Sequence, residues 1–402
     1  MMTTAEWTSL LGAALCGVAT CYAAVAAWLS RRRPLDLNLG LNSKLASTPQ
    51  PVTVLKPLCG GEPRLYHNLA TLCRQKYDQF QIVFGVRDAE DRALAVVRRL
   101  QADFPDCDIA VAITPDLHGQ NLKVSNLINM LPLARYDWLV IADSDIAAPP
   151  YYLSRITAPL ADTSTGIVTC LYRGRALAGF WSRLGAQFID DWFAPSVRIS
   201  HTAGSRRFAF GASIALRRDA LAAIGGFSAL ADRLADDFWL GELTRRQGLA
   251  TVLSDVVVTT DITEASLAEL WTHELRWLRT IRSLSPAGFF FTFITYTWPM
   301  LLLGLMLAPG PEVFVIAIAG VMARSILAGS MHAALRAPLR DTLLLLEWAT
   351  ALFGSQVSWR GQTLSVRDGM RAEDGQTSDS TTANSFAAHT GGKTAGRLPP
   401  SM

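Results

Sequence analysis

The sequence predicts an α/β domain with a mainly parallel sheet, placed between transmembrane helices at the two ends of the chain. Within residues 51–263, short runs rich in β-branched and apolar residues alternate with helical patterns. Such runs are typical of parallel strands that are covered by helices on both faces of the sheet. Long apolar runs lie on either side of this region, and their length matches the thickness of a bilayer.

The composition favours a membrane protein and excludes nucleic acid as a partner. Charged residues make up 18% of the 402 residues and hydrophobic residues 50%, whereas soluble proteins hold about 25% charged residues. A net charge of +3 is too small to attract nucleic acid. The six cysteines contain no C-x-x-C pair, which is typical of reduced thiols in the cytosol. Cys59, His67 and Cys73 do not have the spacing of a common zinc site.

Residues 1–30 are predicted to form an N-terminal transmembrane anchor. Residues 7–29 hold no charge and are long enough to cross about 30 Å of hydrocarbon. Arg31, Arg32 and Arg33 then begin a linker over residues 31–50. A signal peptide would carry its positive charge before the apolar run. The positive-inside rule therefore predicts that the chain after the anchor lies in the cytoplasm.

The C-terminal membrane helices are predicted over residues 287–359. Apolar runs cover residues 287–308, 313–335 and 339–359, and Arg324, Asp341 and Glu347 interrupt the last two. Charges within a span normally face a protein interior or water. The number of crossings stays open, because the last run fits a re-entrant or interfacial helix as well as a crossing. Residues 360–402 are dominated by small and polar residues, which predicts a disordered tail.

Alternating strands and helices are predicted in one domain over residues 51–265. The predicted strands cover residues 52–57, 80–86, 107–113, 137–143 and 166–172, and the predicted helices cover residues 64–75, 90–104 and 121–134. Strands that alternate with helices indicate βαβ units. Ligands of such sheets bind beyond the carboxyl ends of the strands, so polar residues at those ends are the candidates for a site.

Two carboxylates, Asp143 and Asp145, directly follow the fourth predicted strand. Carboxylates two residues apart can share one divalent cation, and Mg²⁺ is usually held by one or two carboxylates plus substrate phosphates. The alternative is that they cap a helix or stabilise a turn, and spacing alone does not exclude it. Asp88 ends the second predicted strand in the same way and would face the same crevice.

Two stretches nearer the C-terminus carry further charged residues. Asp236 and Asp237 begin a helical pattern, where acidic residues are ordinary first-turn residues. Residues 266–286 carry arginines at three-residue spacing beside tryptophans, Arg276 and Trp277 among them. Such a basic, aromatic pattern before an apolar run predicts an amphipathic helix that lies on the membrane surface.

The combined motifs resemble those of GT-A glycosyltransferases of families 2 and 21, and especially the ceramide glucosyltransferase-like group. That group carries three separated aspartate motifs and a (Q/R)-x-x-R-W motif. The resemblance covers residues 51–290 and implies a GT-A (nucleotide-diphospho-sugar transferase) domain. His273 departs from the general motif, although the bacterial branch often reads H-x-L-R-W. In this chain the motifs read Asp88, Asp143-Ser144-Asp145, Asp237 in "ADDF" and "HELRW" at residues 273–277.

Sugar transfer from a nucleoside diphosphate sets the expected roles of these residues. A cation held by Asp143 and Asp145, Mg²⁺ or Mn²⁺, would stabilise the departing diphosphate. The guanidinium of Arg276 would contact the same phosphates. Asp237 would be the catalytic base that takes the proton of the acceptor hydroxyl. One base opposite the leaving group implies a single displacement, and hence inversion at the anomeric carbon.

The remaining residues of the motifs have less defined roles. The resemblance implies that Asp88 contacts the nucleoside and that Trp277 belongs to the donor-binding motif. Lys123 and Asn126 are candidates to line the crevice, and the alternative is that they are surface residues of a helix. Asp236 is either a supporting contact of the base or a capping residue.

The resemblance implies transfer from a UDP-sugar to a lipid hydroxyl at the surface of the bilayer. The bacterial branch implies N-acetylglucosamine transfer from UDP-N-acetylglucosamine to bacteriohopanetetrol in hopanoid biosynthesis, at the inner membrane, by a multi-pass protein whose catalytic domain faces the cytoplasm. The first alternative is a ceramide glucosyltransferase that uses UDP-glucose. More distant alternatives are a processive polysaccharide synthase, which would need more helices for a channel, and a nucleotide-sugar-binding protein without catalysis.

Overall fold

The fold was analysed in a computed structural model, which describes residues 3–32, 49–354, 356–359 and 362–365. Most of the predicted linker and nearly all of the predicted tail therefore lie outside the described residues. Within the range of the predicted tail, the structure describes a short strand, Gln362–Ser365, which pairs antiparallel with Gln356–Trp359.

Eight strands form one sheet at the centre of the protein. They are β1 (Val52–Pro57), β2 (Phe80–Val86), β3 (Asp108–Ile113), β4 (Trp138–Ala142), β5 (Ile146–Ala147), β6 (Thr165–Ala176), β7 (Ser213–Arg217) and β8 (Ala250–Ile262). Their order is β3-β2-β1-β4-β7-β6-β8-β5. The pairs β3-β2, β2-β1, β1-β4 and β6-β8 are parallel, whereas β7 and β5 run antiparallel to their neighbours. The prediction of a mainly parallel sheet is confirmed.

Helices cover both faces of this sheet. In chain order the helices are α1 (Thr4–Arg31), α2 (Leu65–Cys73), α3 (Ala93–Asp103), α4 (Leu122–Met130), α5 (Tyr152–Thr157), α6 (Phe180–Phe188), α7 (Ala194–Thr202), α8 (Arg218–Ala223), α9 (Asp236–Arg246), α10 (Leu267–Leu284), α11 (Pro286–Phe290), α12 (Thr297–Leu307), α13 (Pro311–Ala328) and α14 (Met331–Ala351). One buried apolar cluster includes residues of α2, α3 and α5, and a second includes residues of α4 and α9. Near-continuous apolar strands are therefore buried from both sides.

The apolar ends of the chain form a bundle of helices. Helices α1 and α13 are long and apolar enough to cross a membrane, and a bent pair formed by Pro286–Thr295 and Thr297–Leu307 would be a third candidate if it acts as one span. The bend of 69° divides the apolar run at residues 287–308. Within the apolar run at residues 313–335, Gly329 adopts a left-handed conformation and ends α13.

The charged residues within the C-terminal runs are buried in ion pairs, as the sequence predicts for charges inside a membrane segment. Arg324 contacts Asp341 at 2.9 Å and Asp191 at 2.8 Å. Glu347 contacts Arg340 at 2.9 Å. Each charge therefore faces a protein partner.

Close packing of α1 against α12 requires glycine at two positions. A Cβ atom at Gly12 would stand 2.7 Å from the carbonyl oxygen of Gly304, and one at Gly304 would stand 2.6 Å from that of Gly12. Gly17, on the same helix, has no atom within 4 Å of such a Cβ.

We therefore expect opposite effects from two Gly-to-Ala substitutions in α1. Gly12→Ala should lower the free energy of unfolding by about 1–3 kcal/mol, because overpacking forces the helices apart. Gly17→Ala should raise the free energy of unfolding or leave it unchanged, because alanine is favoured over glycine in a helix by about 1 kcal/mol. Thermal melting of both variants in detergent measures the effect, and equal melting temperatures would contradict the packing.

Candidate active site

The carboxyl ends of β1 and β4 bring the first charged groups of the site together. Asp143 and Asp145 follow β4 directly. Lys56, near the end of the neighbouring β1, is fully buried, and its ammonium donates to the carbonyl oxygen of Asp143. Burial lowers the pKa of Lys56 to about 8, while the charges of Asp145 and Asp143 act in the opposite direction. A buried lysine thus holds the backbone of the aspartate motif in place.

Lys123 lies between two aspartates from distant parts of the chain. Its ammonium is 2.7 Å from Asp143 Oδ1 and 3.6 Å from Asp236 Oδ2, and its side chain is only 16% exposed. Burial disfavours the ammonium, but the charges of Asp143 and Asp236 outweigh it and raise the pKa of Lys123. The alternative that Lys123 is a surface residue is therefore wrong.

Asn121 explains why Lys123 points into the crevice. Its side-chain oxygen accepts hydrogen bonds from the backbone N–H groups of Lys123 at 3.0 Å and Val124 at 3.1 Å, and so caps the start of α4. Its amide nitrogen donates to the carbonyl oxygen of Arg233 at 2.8 Å and to Asp236 Oδ1 at 3.3 Å. The cap thus joins the start of α4 to the start of α9.

Asp237 begins α9 and is held by two backbone donors. Its Oδ2 accepts from the N–H of Gly211 and its Oδ1 from its own neighbour, Phe238, each at 2.8 Å. Burial, and then the charge of Asp236, raise the pKa of Asp237 to about 6. A Cβ atom at Gly211 would stand 3.2 Å from Asp237 Oδ2 and 3.4 Å from Lys123 Nζ, so glycine lets the loop approach both groups.

Asp145 provides the second carboxylate at the end of β4. Its Oδ2 accepts from Thr260 Oγ1 at 2.7 Å, and its carbonyl oxygen accepts from Asn68 Nδ2 at 3.1 Å. Burial, followed by repulsion from Asp143, raises the pKa of Asp145 to about 6. Two adjacent oxygen ligands whose charges repel each other fit a hard divalent cation. Across the described ranges, no group of three or more His, Cys, Asp or Glu side chains could hold a metal.

The H-x-L-R-W motif lies on α10. His273 Nδ1 contacts Glu264, and the His273 ring is 4.4 Å from the Trp277 ring. Arg276 and the aspartates all lie near enough to Tyr172 of β6 for their charges to act on it. Burial raises the pKa of Tyr172, and the charges of Asp237, Asp143, Asp145 and Arg276 all act on its hydroxyl. The motif helix and the aspartate motifs therefore both approach the same residue of β6.

Two sequence candidates lie apart from these contacts. Asp88 is exposed in the turn after β2, where its Oδ1 accepts from the N–H of Glu90 at 2.9 Å. Asn126 is buried, and its amide donates to the carbonyl oxygen of Gly85 at 2.8 Å. Asn126 thus joins α4 to β2 and is not a surface residue.

Sequence reasoning missed several residues of this site, among them Lys56, Gly211 and Tyr172. Lys56 carries a readable signal, because a lysine inside an otherwise apolar strand needs a buried partner. Gly211 and Tyr172 carry no comparable signal, since their importance depends on which side chains the fold brings beside them.

With this geometry defined, the chain can be compared with known proteins. The family model described as "Glycosyl transferase family 21" matches residues 11–372. The chain belongs to glycosyl transferase family 21. The match includes both the α/β domain and the apolar helices on either side of it.

Curated relatives of this family 21 chain include ceramide glucosyltransferases. Ceramide glucosyltransferase 1 of Caenorhabditis elegans is 24% identical over 236 residues, which are 58% of this chain and 50% of that one. The ceramide glucosyltransferase of Komagataella phaffii is 30% identical over 122 residues, 28% of this chain and 24% of that one. The chain spans half the length of the first relative and less of the second.

A solved structure shares the fold. The mannosyltransferase PcManGT from Pyrobaculum calidifontis, in complex with GDP-Man and Mn²⁺, superposes with a TM-score of 0.55 over 86% of this chain and 96% of that chain, at 19% identity. The predicted GT-A fold with apolar helices at both ends is confirmed.

The contact between Lys123 and the aspartates predicts a pH-dependent loss of stability. Lys123→Met should lower the free energy of unfolding by about 1–3 kcal/mol at pH 7.5, because it leaves partly buried carboxylates without their cation. The loss should shrink below about pH 6, where Asp237, on which the charge of Lys123 acts, takes up a proton. Denaturation of the metal-free protein measures it.

Lys76→Met is the matched control, because Lys76 is an exposed lysine whose Nζ lies 3.3 Å from the Tyr151 hydroxyl. Equal stabilities of the two variants at pH 7.5 would show that Lys123 does not hold the carboxylates together.

Proposed function

We propose that this protein is an inverting glycosyltransferase that transfers a sugar from a UDP-sugar to a lipid hydroxyl at the membrane surface. The observation that carries the proposal is the crevice itself. Two adjacent carboxylates, Asp143 and Asp145, lie at the end of a central strand, and Lys123 contacts both Asp143 and Asp236, the neighbour of a third carboxylate, Asp237. Membership of family 21 and the GT-A fold support the same activity.

The donor side of the proposed reaction uses Asp143, Asp145 and Arg276. A divalent cation, Mg²⁺ or Mn²⁺, bound to the two aspartates would neutralise charge on the departing diphosphate. Arg276 would contribute a guanidinium fork to the same phosphates. Trp277 would complete the donor-binding motif, and the exposed Asp88 would contact the nucleoside.

The acceptor side uses Asp237 as the base. With a pKa of about 6, its carboxylate is mostly ionised at neutral pH, yet it is more basic than an ordinary aspartate. The two backbone N–H groups from Gly211 and Phe238 fix its orientation. Burial raises the pKa of Asp237, whereas the positive charge of Lys123 acts in the opposite direction and lowers it.

The lipid acceptor is proposed from the position of the membrane helices. Helix α10 is followed directly by α11, whose Phe290 is 50% exposed, and Phe291 just beyond it is 60% exposed. Exposed phenylalanines at the start of a candidate span fit the boundary between headgroups and acyl chains. The crevice would then open where a lipid hydroxyl is available.

The donor and acceptor are proposed from the family resemblance. We expect transfer of N-acetylglucosamine from UDP-N-acetylglucosamine to bacteriohopanetetrol, by a multi-pass protein of the bacterial inner membrane with its catalytic domain in the cytoplasm. Glucose transfer from UDP-glucose to ceramide is the alternative, in line with the names of the curated relatives.

A transfer assay with purified protein in detergent tests the proposed function. Labelled UDP-N-acetylglucosamine and UDP-glucose would each be offered with bacteriohopanetetrol and with ceramide, in Mn²⁺ or Mg²⁺. Labelled bacteriohopanetetrol formed from UDP-N-acetylglucosamine but not from UDP-glucose supports the hopanoid assignment. Labelled glucosylceramide supports the ceramide glucosyltransferase alternative. A labelled polymer would indicate a polysaccharide synthase, and no product at all would contradict the activity.

The role of Asp237 predicts the acid limb of the pH–rate profile. The base must be ionised, so kcat/KM should fall about tenfold per pH unit below a pKa of about 6. Asp237→Asn should lower kcat by about 10²–10⁴-fold, whereas Asp219→Asn, at an exposed aspartate on α8, should not change it. Normal turnover by Asp237→Asn would rule out the assignment.

A further inference from the structure

We infer that Arg340 is a positioning residue for donor binding: it fixes the rotation of the motif helix α10 through Glu274, so that Arg276 faces the crevice. The inference rests on the proposed function, since it assigns Arg276 to the donor phosphates. Arg340 itself lies on α14, in the C-terminal apolar region, and contacts neither the aspartate motifs nor a substrate.

The contact between α14 and α10 is a two-point ion pair. Arg340 Nη1 donates to Glu274 Oε1 at 3.0 Å and Arg340 Nη2 to Glu274 Oε2 at 2.7 Å. Arg340 Nη2 also donates to Glu347 Oε2 at 2.9 Å. None of the three side chains is more than 2% exposed. A guanidinium that meets both oxygens of one carboxylate constrains direction as well as distance.

Glu274 lies inside the motif but on the opposite side of the helix from Arg276. Two residues along an α-helix correspond to about 200° around its axis. Glu274 belongs to a buried stripe on α10 with Leu270 and Leu278, whereas Arg276 lies on the other side of the helix and its charge acts on Tyr172 of β6. Helix α14 therefore contacts α10 on the side opposite to Arg276, the proposed donor-binding arginine.

A chain of rings links the same arginine to the rest of the motif. The guanidinium carbon of Arg340 is 5.9 Å from the centre of the Phe188 ring. The Phe188 ring is 5.4 Å from that of Trp277, which is 4.4 Å from that of His273. Arg340 therefore supports two sides of α10, through Glu274 and through Phe188.

Burial makes this ion pair a strong constraint. Apolar contacts between α10 and α14, such as those in the cluster that contains Leu278 and Leu344, are non-directional and tolerate a small rotation. A rotated α10 would separate the Glu274 carboxylate from Arg340 and leave charges unpaired in a protein interior, which is strongly unfavourable. The ion pair thus selects one rotation of the motif helix.

The protein contains a second buried cluster that serves as a matched control. Arg324 of α13 also binds two carboxylates, those of Asp341 and Asp191. Its side chain is 4% exposed, as buried as that of Asp341. The Arg324 cluster joins α13, α14 and the π-helical segment Ile189–Phe193, and none of its three members lies on α10.

The test compares two triple variants that neutralise one cluster each. The first is Arg340→Met with Glu274→Gln and Glu347→Gln, and the second is Arg324→Met with Asp191→Asn and Asp341→Asn. For the first, we expect the KM for the UDP-sugar to rise and kcat to fall by about tenfold or more, because small misplacements of binding groups are costly. The KM for the lipid should stay within about twofold, since the base does not move.

The second triple variant should keep the wild-type KM for the UDP-sugar and the wild-type kcat, even if its melting temperature falls. Equal changes in both variants would overturn the inference, because they would reflect general destabilisation. An unchanged KM for the UDP-sugar and an unchanged kcat in the first triple variant would also overturn the inference. Should the first triple variant not fold, Arg340→Lys carries the test, since it keeps the charge but cannot form the two-point contact.

The dissociation constant of UDP in Mn²⁺ separates this inference from the proposed function. Wild-type protein that binds UDP but transfers no sugar would contradict the proposed function alone. The UDP affinities of the two triple variants would then still decide the role of Arg340. Weaker binding in the Arg340 cluster variant only would support it, and equal affinities would refute it.

Discussion

The site depends on one largely buried cation, Lys123, held between carboxylates from the end of β4 and the start of α9. Asp143 and Asp236 are both within 4 Å of its ammonium, and the charge of Asp237 acts on it as well. Without a positive charge, three aspartates in a half-buried crevice would repel one another. The lysine therefore allows the proposed base and the proposed cation-binding pair to share one small volume.

This arrangement also explains the raised pKa values of the site. Asp145 and Asp237 are each shifted to about 6, chiefly by burial and then by a neighbouring carboxylate. A carboxylate with such a pKa costs stability at neutral pH, because the folded state favours its protonated form. Groups of this kind are typical of functional sites. In this protein Asp145 follows the end of β4, where α/β sheets bind ligands, and Asp237 lies at the start of α9.

The membrane region and the catalytic crevice are parts of one polar framework. The arginines of α13 and α14 bind carboxylates of the α/β domain and of the motif helix, Asp191 and Glu274. Charges in an apolar segment are unfavourable unless they are paired. Of these two partners, Glu274 lies on the motif helix itself, so the contact that pairs Arg340 also supports the helix that carries Arg276.

Much of this fold could be predicted from the sequence because local patterns determine its strands. Strands β1 and β2 have the predicted bounds, and Asp143 and Asp145 lie at the predicted strand end. Strands β7 and β8 were not predicted. The contact of Gly211 with Asp237 could not be predicted either, since it depends on how distant loops meet. The pairing of Glu274 with Arg340 joins residues 66 positions apart, and no local pattern indicates it.

The central claim is that the carboxylates after β4 bind a nucleoside diphosphate through a divalent cation. Titration of UDP into the purified protein, with Mn²⁺ and then with EDTA, tests it most directly. The account predicts binding in Mn²⁺ that is lost in EDTA and in the Asp143→Ala variant. Equal UDP affinity under all three conditions would contradict it and would leave the paired carboxylates with a structural role alone.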